Sequence, residues 1–141
     1  MQGRAPMLTP VEGGTAVVAC NTCRFASDSR NDPRGIRGGA AMVAALRAQQ
    51  AADPRYAAIA IQEMPCLFAC GDHCTIHLRA PGKISYVLGR FAPDAQAARA
   101  ILDYAVHYAL SAEGSVPYAQ WPEGVKGHFI TRSPPEGYVA P

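Results

Sequence analysis

Residues 66–88 read CLFACGDHCTIHLRAPGKISYVL, and this stretch decides the fold. Cysteines crowd its beginning, at Cys66, Cys70 and Cys74. From there the pattern turns to period two. Ile76 and Leu78 would face one side with Thr75, His77 and Arg79 opposite, and Ile84, Tyr86 and Leu88 alternate likewise. Between the two runs, Ala80-Pro81-Gly82-Lys83 carries proline and glycine where a type II turn needs them, so the spacing predicts a β-hairpin. A loop rich in thiols therefore leads directly into paired strands.

Upstream, residues 15–19 form a short apolar, β-branched run that predicts a buried strand ending at Cys20, the first residue of Cys20-Asn-Thr-Cys23. Residues 24–39 are polar and punctuated by Pro33, Gly35, Gly38 and Gly39, which reads as a loop. Residues 40–52 combine helix formers with an apolar face of Met42, Val43 and Leu46, and Asp53-Pro54 stops them. A second buried strand is expected over residues 56–61, followed by the cysteine loop with Pro65 and Gly71. Downstream, Ala98, Ile101, Leu102, Ala105 and Ala109 make a helical stripe within residues 93–112, with Asp94 in the first turn and Gly114 past the end. Strand, helix, strand, cysteine loop, hairpin, helix is the order of a thioredoxin-like α/β domain with a mixed sheet. The expected division is a loose arm over residues 1–14, one domain over 15–114 and an extended tail over 115–141, which holds five of the twelve prolines.

Bulk properties narrow the function classes. A chain of 141 residues, 49% hydrophobic and 17% charged, is one ordinary globular domain. Its formal charge of +2 is too small to argue for nucleic acid. No signal-type apolar region opens the chain, and Gly89, Asp103 and His107 interrupt the apolar stretches before they could span a bilayer. A soluble cytoplasmic protein with no membrane partner is expected. No Ser or Cys triad, HExxH or phosphate loop is present, since the segment at Gly35 to Gly39 lacks the lysine and strand that a phosphate loop needs. The chain is not expected to be an enzyme.

The five cysteines lie only in the two groups, Cys20 and Cys23 in one and Cys66, Cys70 and Cys74 in the other. An odd number cannot pair fully within the chain, and such clusters in a reducing compartment mean metal or redox chemistry. Four thiolates suit an iron-sulfur cluster or a structural zinc, and soft sulfur also holds copper(I) for delivery. Zinc ribbons set their ligand pairs in knuckles on hairpins, whereas here a CxxC ends a strand and its partner is a CxxxC. Thiol exchange is disfavoured because its CxxC sits at a helix N-terminus, and here a polar loop separates Cys23 from the helix. His73 lacks the second histidine that a Rieske centre needs and reads as a loop residue or a donor to a cluster sulfur. His77 and His107 fall on a strand and a helix, and His128 in the tail. Arg24, Arg30, Arg34 and Arg37 face only Asp28 and Asp32 in the first loop, which reads as a solvated segment or as a docking surface for an acidic partner.

Residues 65–108 resemble the thioredoxin-fold [2Fe-2S] ferredoxins, in which a CxxxC loop precedes a strand, a tight turn, a further strand and a closing helix. More specifically, residues 18–135 resemble the DUF1636 family of predicted metal-binding proteins. The pattern is carried by Cys20-Asn-Thr-Cys23-Arg24, Cys66-Leu-Phe-Ala-Cys70 with Cys74-Thr75, Ala80-Pro81-Gly82-Lys83 with Tyr86-Val87-Leu88-Gly89, and Arg132-Ser133-Pro134-Pro135. The resemblance implies an electron-transfer protein with a [2Fe-2S] cluster, a protein redox partner and a link to cobalamin or cobalt metabolism. A homodimer stays open, as does a zinc or other metal-binding module. In those ferredoxins the first two cysteines stand much farther apart, and Cys74 is an added thiol. Cys20, Cys23, Cys66 and Cys70 form the simplest ligand set, with Cys74 as an alternative ligand or a buried thiol.

Overall fold

The structure, a computed structural model, describes residues 7–69 and 72–141. Its frame is a five-stranded mixed sheet in the order β2-β1-β3-β4-β5. Strand β1, Ala16–Cys20, is buried along its whole length, as its unbroken apolar sequence AVVAC requires of a strand paired on both edges. On one side it runs parallel to β2, Ala60–Met64, in the register Ala16↔Ala60 to Cys20↔Met64. A parallel pair needs a crossover, which α1, Gly38–Ala52, supplies. On its other side β1 runs antiparallel to β3, Ile76–Arg79, with Ala19 opposite Ile76.

The hairpin of β3 and β4, Ser85–Leu88, forms as its alternation predicts. Gly82 at φ +73° and the Lys83 N–H donating to the Ala80 carbonyl at 3.3 Å match the type II turn. Helix α2, Ala95–Leu110, starts at Asp94, which is its N-cap rather than a first-turn residue: the carboxylate accepts the Ala97 N–H at 2.8 Å. Val17, Ala19, Ile76, Leu78 and Leu88 of the sheet share one core with Met42 and Leu46 of α1 and Ile101, Leu102, Ala105 and Tyr108 of α2. Among the described residues no helix is long and apolar enough to cross a membrane.

Four elements differ from the sequence reading. The strand expected over residues 56–61 lies further on, at β2, and is a half-exposed edge rather than a buried strand. Tyr56 belongs to a single 3-10 turn, Pro54–Tyr56, whose first N–H groups are held by Asp53. That turn buries the ring to 1% exposure and brings its hydroxyl to Asp103 of α2 at 2.5 Å, so an aromatic that looks like strand is a plug packed against the two helices. Gly38 and Gly39 are the first turn of α1, not loop. Thr75, expected on the polar side of the hairpin, is 1% exposed. Within the expected tail, β5, Phe129–Ser133, pairs antiparallel with β4 and extends the sheet. Trp121 and Phe129 pack beside Tyr104, with rings 5.9 Å and 5.3 Å from it. Short segments between prolines carry too few residues for a period to show, and aromatic packing decides their fold instead.

Candidate metal centre

Strand register builds the site. Because Cys20 pairs with Met64 in the parallel ladder, Cys66 follows two positions beyond the end of β2. Because Ala19 pairs with Ile76 in the antiparallel ladder, Thr75 comes opposite Cys20, whose N–H donates to the Thr75 carbonyl at 3.1 Å. The Asn21 N–H donates to the Met64 carbonyl at 3.0 Å on the other side. The turn containing Cys20 and Cys23 is thus flanked by both ends of the second cysteine loop. Cys20, Cys23 and Cys74 are buried and Cys66 is half-buried. Cys70, expected as a ligand, lies outside the described residues.

The polar surroundings of the sulfurs are mostly donors. Burial raises the Cys20 thiol, but hydrogen bonds from Cys23, from the Thr22 side chain and N–H, and from the Cys66 N–H outweigh it and hold Cys20 below the ordinary thiol range. Burial and its donation to Cys20 hold Cys23 up, against the pull of the Thr75 hydroxyl and N–H. The Thr75 Oγ1 lies 3.3 Å from the Cys23 Sγ. The Phe68 N–H donates to the Cys66 Sγ at 3.3 Å. Cys74 differs: burial, with Cys23 and Cys20 nearby, pushes it up to about 12, and its thiol donates to the Arg24 carbonyl at 3.4 Å.

Backbone conformation explains how the second loop can aim its N–H groups. Cys66, Phe68 and Cys74 all take the left-handed region, at φ +59°, +58° and +52°. Each costs a non-glycine residue roughly 1–2 kcal/mol, and in this conformation the Cys66 N–H reaches Cys20 while the Phe68 N–H turns back onto the Cys66 Sγ. Such strain concentrates at functional sites. It also leaves the Phe68 ring 95% exposed at the loop surface.

Helix α1 approaches from the remaining side. The Gly39 N–H donates to the Cys23 carbonyl at 3.1 Å. A Cβ on Gly39 would strike the Cys20 carbonyl oxygen and lie 2.9 Å from the Asn21 Cα, and one on Gly38 would strike the Arg24 carbonyl. The paired glycines therefore let the positive end of the helix dipole reach the CxxC turn. Sequence separation between Cys23 and the helix had argued that these were apart. In space the loop doubles back, and residues 24–37 only connect two neighbours.

Thiols under N–H and O–H donors beside a helix N-terminus fit a group held by anionic sulfur, whether iron-sulfur or zinc. Among the described residues no three His, Cys, Asp or Glu side chains are already arranged to hold a metal ion. His73 Nδ1 is buried and finds no hydrogen-bond partner among them. The Arg90 N–H holds the His73 carbonyl at 2.8 Å, while its guanidinium bonds Asp72 at 3.0 Å and the Gly127 carbonyl at 3.0 Å, so Arg90 clamps this end of the loop. His77 lies on β3 and His107 on α2 as expected. His128 stacks on Phe91 at 4.4 Å and reaches the Gly89 carbonyl at 2.9 Å, which fastens this part of the tail to the end of β4. Arg30, Arg34 and Arg37 are exposed, Arg34 pairs with Asp32 at 3.0 Å, and Arg37 donates to the Thr22 carbonyl at 3.2 Å. The sequence reading missed Thr75 and the two glycines, and the only signal for them was adjacency to a cysteine or to a helix start.

The profile of a family described as protein of unknown function, DUF1636, matches residues 17–135. No curated protein matches the chain. Two solved structures of a thioredoxin-like [2Fe-2S] ferredoxin from Aquifex aeolicus are similar to it. One is 18% identical, covering 91% of this chain and 100% of that one, with a TM-score of 0.49. The other, of the wild-type ferredoxin, is 17% identical over 85% and 99% of the two chains, with a TM-score of 0.53. The second likeness shows the shared fold, which is thioredoxin-like as the element order predicts.

Proposed function

The chain belongs to the DUF1636 family, and from that premise we propose that it is a small electron-transfer protein carrying a cysteine-ligated [2Fe-2S] cluster. The observation that supports this reading most is the convergence of Cys20, Cys23 and the Cys66 backbone at one end of the sheet, under N–H and O–H donors. The ferredoxin fold adds to it. Cys20, Cys23, Cys66 and Cys70 are the proposed ligands, with Cys74 as the alternative. A bound cluster would supply a one-electron couple. The chain's own residues keep the site at the sheet end, shield Cys20 and Cys23 from water, and favour negative charge on sulfur through the Cys66 and Phe68 N–H groups and the α1 N-terminus. In this reading the protein acts as an electron carrier, and its residues hold and tune the centre. Its partner would be a redox protein with an acidic docking face, drawn by the exposed arginines of the loop that follows Cys23. A link to cobalamin or cobalt metabolism has no support in the fold, the site or the comparisons and forms no part of the proposal.

An anaerobic absorption spectrum with iron and acid-labile sulfide assays tests this. The expected protein is red-brown, carries iron and sulfide in equal amounts and bleaches on dithionite. Replacing Cys20 or Cys66 with Ser should lower both contents. A colourless protein with zinc in place of iron would instead establish a metal-binding module without a redox role.

A further inference from the structure

We propose that Thr75 sets the reduction potential of this centre by donating its hydroxyl hydrogen to the Cys23 sulfur. The inference rests on the cluster reading above and adds a residue to it. Thr75 is the buried polar side chain of the described core, 1% exposed, and its Oγ1 lies 3.3 Å from the Cys23 Sγ. A buried hydroxyl without a partner is unfavourable by roughly 1–3 kcal/mol, so this position has a reason to be polar. A metal-bound Cys23 is a thiolate and can only accept, which makes Thr75 the donor.

The hydroxyl has little freedom to turn elsewhere. Threonine is stiff at χ1, and its methyl is packed over Gly89: a Cβ there would lie 2.9 Å from the Thr75 Cγ2 and 2.8 Å from the Asp72 carbonyl. The backbone is fixed as well, because the Thr75 carbonyl accepts the Cys20 N–H at 3.1 Å and β3 begins at the next residue. With the methyl seated on Gly89 and the backbone tied to Cys20, the hydroxyl faces Cys23. A hydrogen bond to a ligand sulfur drains charge from it and stabilises the reduced, more negative centre, which raises the potential. Thr75 is therefore a positioning and tuning residue rather than a ligand.

Thr75→Val keeps the branched shape and strand preference while removing only the donor, and Thr75→Ser keeps the donor without the methyl. Potentiometric titration of the purified holoprotein should show a lower midpoint potential for Thr75→Val, by about tenfold in the equilibrium constant for one-electron reduction or ~59 mV. Thr75→Ser should stay near wild type. Resonance Raman should place the Fe–S(Cys) stretches of Thr75→Val apart from those of wild type, with iron and sulfide content unchanged in all three. Equal potentials and stretches in wild type and Thr75→Val, both fully loaded, would overturn the role of Thr75 and leave the cluster reading standing. Equal losses in Val and Ser variants would also overturn it, because packing and not donation would then be responsible. A wild-type protein with no iron-sulfur spectrum removes both.

Discussion

Gly39 shows how much of the site depends on a hydrogen atom in place of a methyl. Its N–H reaches the Cys23 carbonyl at 3.1 Å, and an added Cβ would run into the Cys20 carbonyl and the Asn21 backbone. Alanine is the better helix former by ~1 kcal/mol, but the obstacle is backbone and cannot swing away, so overpacking of about 1–3 kcal/mol decides the sign. Gly39→Ala should lower both the melting temperature and the metal content. Gly13→Ala, with nothing within 4 Å of the added carbon, should change neither and serves as the control. A stabilised, fully loaded Gly39→Ala protein would mean that α1 need not touch the cysteine turn. Cys74 teaches a related lesson. By spacing it is equal to Cys66 or Cys70, yet its thiol is buried and donates to the Arg24 carbonyl at 3.4 Å.

Between β1 and α1, the loop of residues 24–37 joins a strand end to a helix start that lie side by side, with Arg37 donating to the Thr22 carbonyl and Arg30 and Arg34 exposed on the same loop. If this loop attracts acidic partners, small redox ions should feel it too. The reduced protein should react faster with ferricyanide, an anion, after correction for driving force, than it does with hexaamminecobalt(III), a cation. Salt should erode that preference as the Debye length falls to about 8 Å at physiological ionic strength. Arg30→Glu with Arg34→Glu should reverse it at unchanged iron content. The same anion-to-cation ratio in wild type and the double variant would remove the docking role. At this scale legibility was uneven. The hairpin and both helices were plain because each spans enough residues for a period to repeat. β2 was displaced because Tyr-Ala-Ala-Ile-Ala-Ile contains no polar residue to mark where the 3-10 turn stops and the strand starts. β5 was missed because an edge strand beside prolines takes its identity from the neighbour it pairs with.

Over the whole molecule, tyrosines tie the layers together and predict a pH limit. Tyr108 donates to the Ile84 carbonyl at 2.6 Å, joining α2 to the hairpin, and Tyr56 donates to Asp103, joining the 3-10 turn to α2. Burial pushes Tyr108 up to about 12, with Tyr86 adding to it, and burial with the Asp103 carboxylate does the same for Tyr56. A phenol whose folded value lies above its ordinary value of 10.0 lends stability that is fully present below pH 10 and is lost as pH climbs through about 12. The melting temperature of the protein should therefore fall steeply between those limits, and less steeply for Tyr56→Phe. A flat profile there would show that these hydroxyls titrate freely.

The cysteine grouping, the strand and helix periods and the turn chemistry were determined by the sequence alone, because each is a local property of a few consecutive residues. They suffice to name the fold class and to single out the two cysteine loops as the candidate site. Tertiary structure alone decided which surroundings each sulfur has. Parallel and antiparallel registers on the two edges of β1 bring Cys66 and Thr75 beside Cys20 and Cys23, and the doubled-back loop sets the α1 N-terminus against them. Those neighbours are set by strand pairing and close packing between segments 16 to 55 residues apart, and no local pattern encodes a contact over that distance.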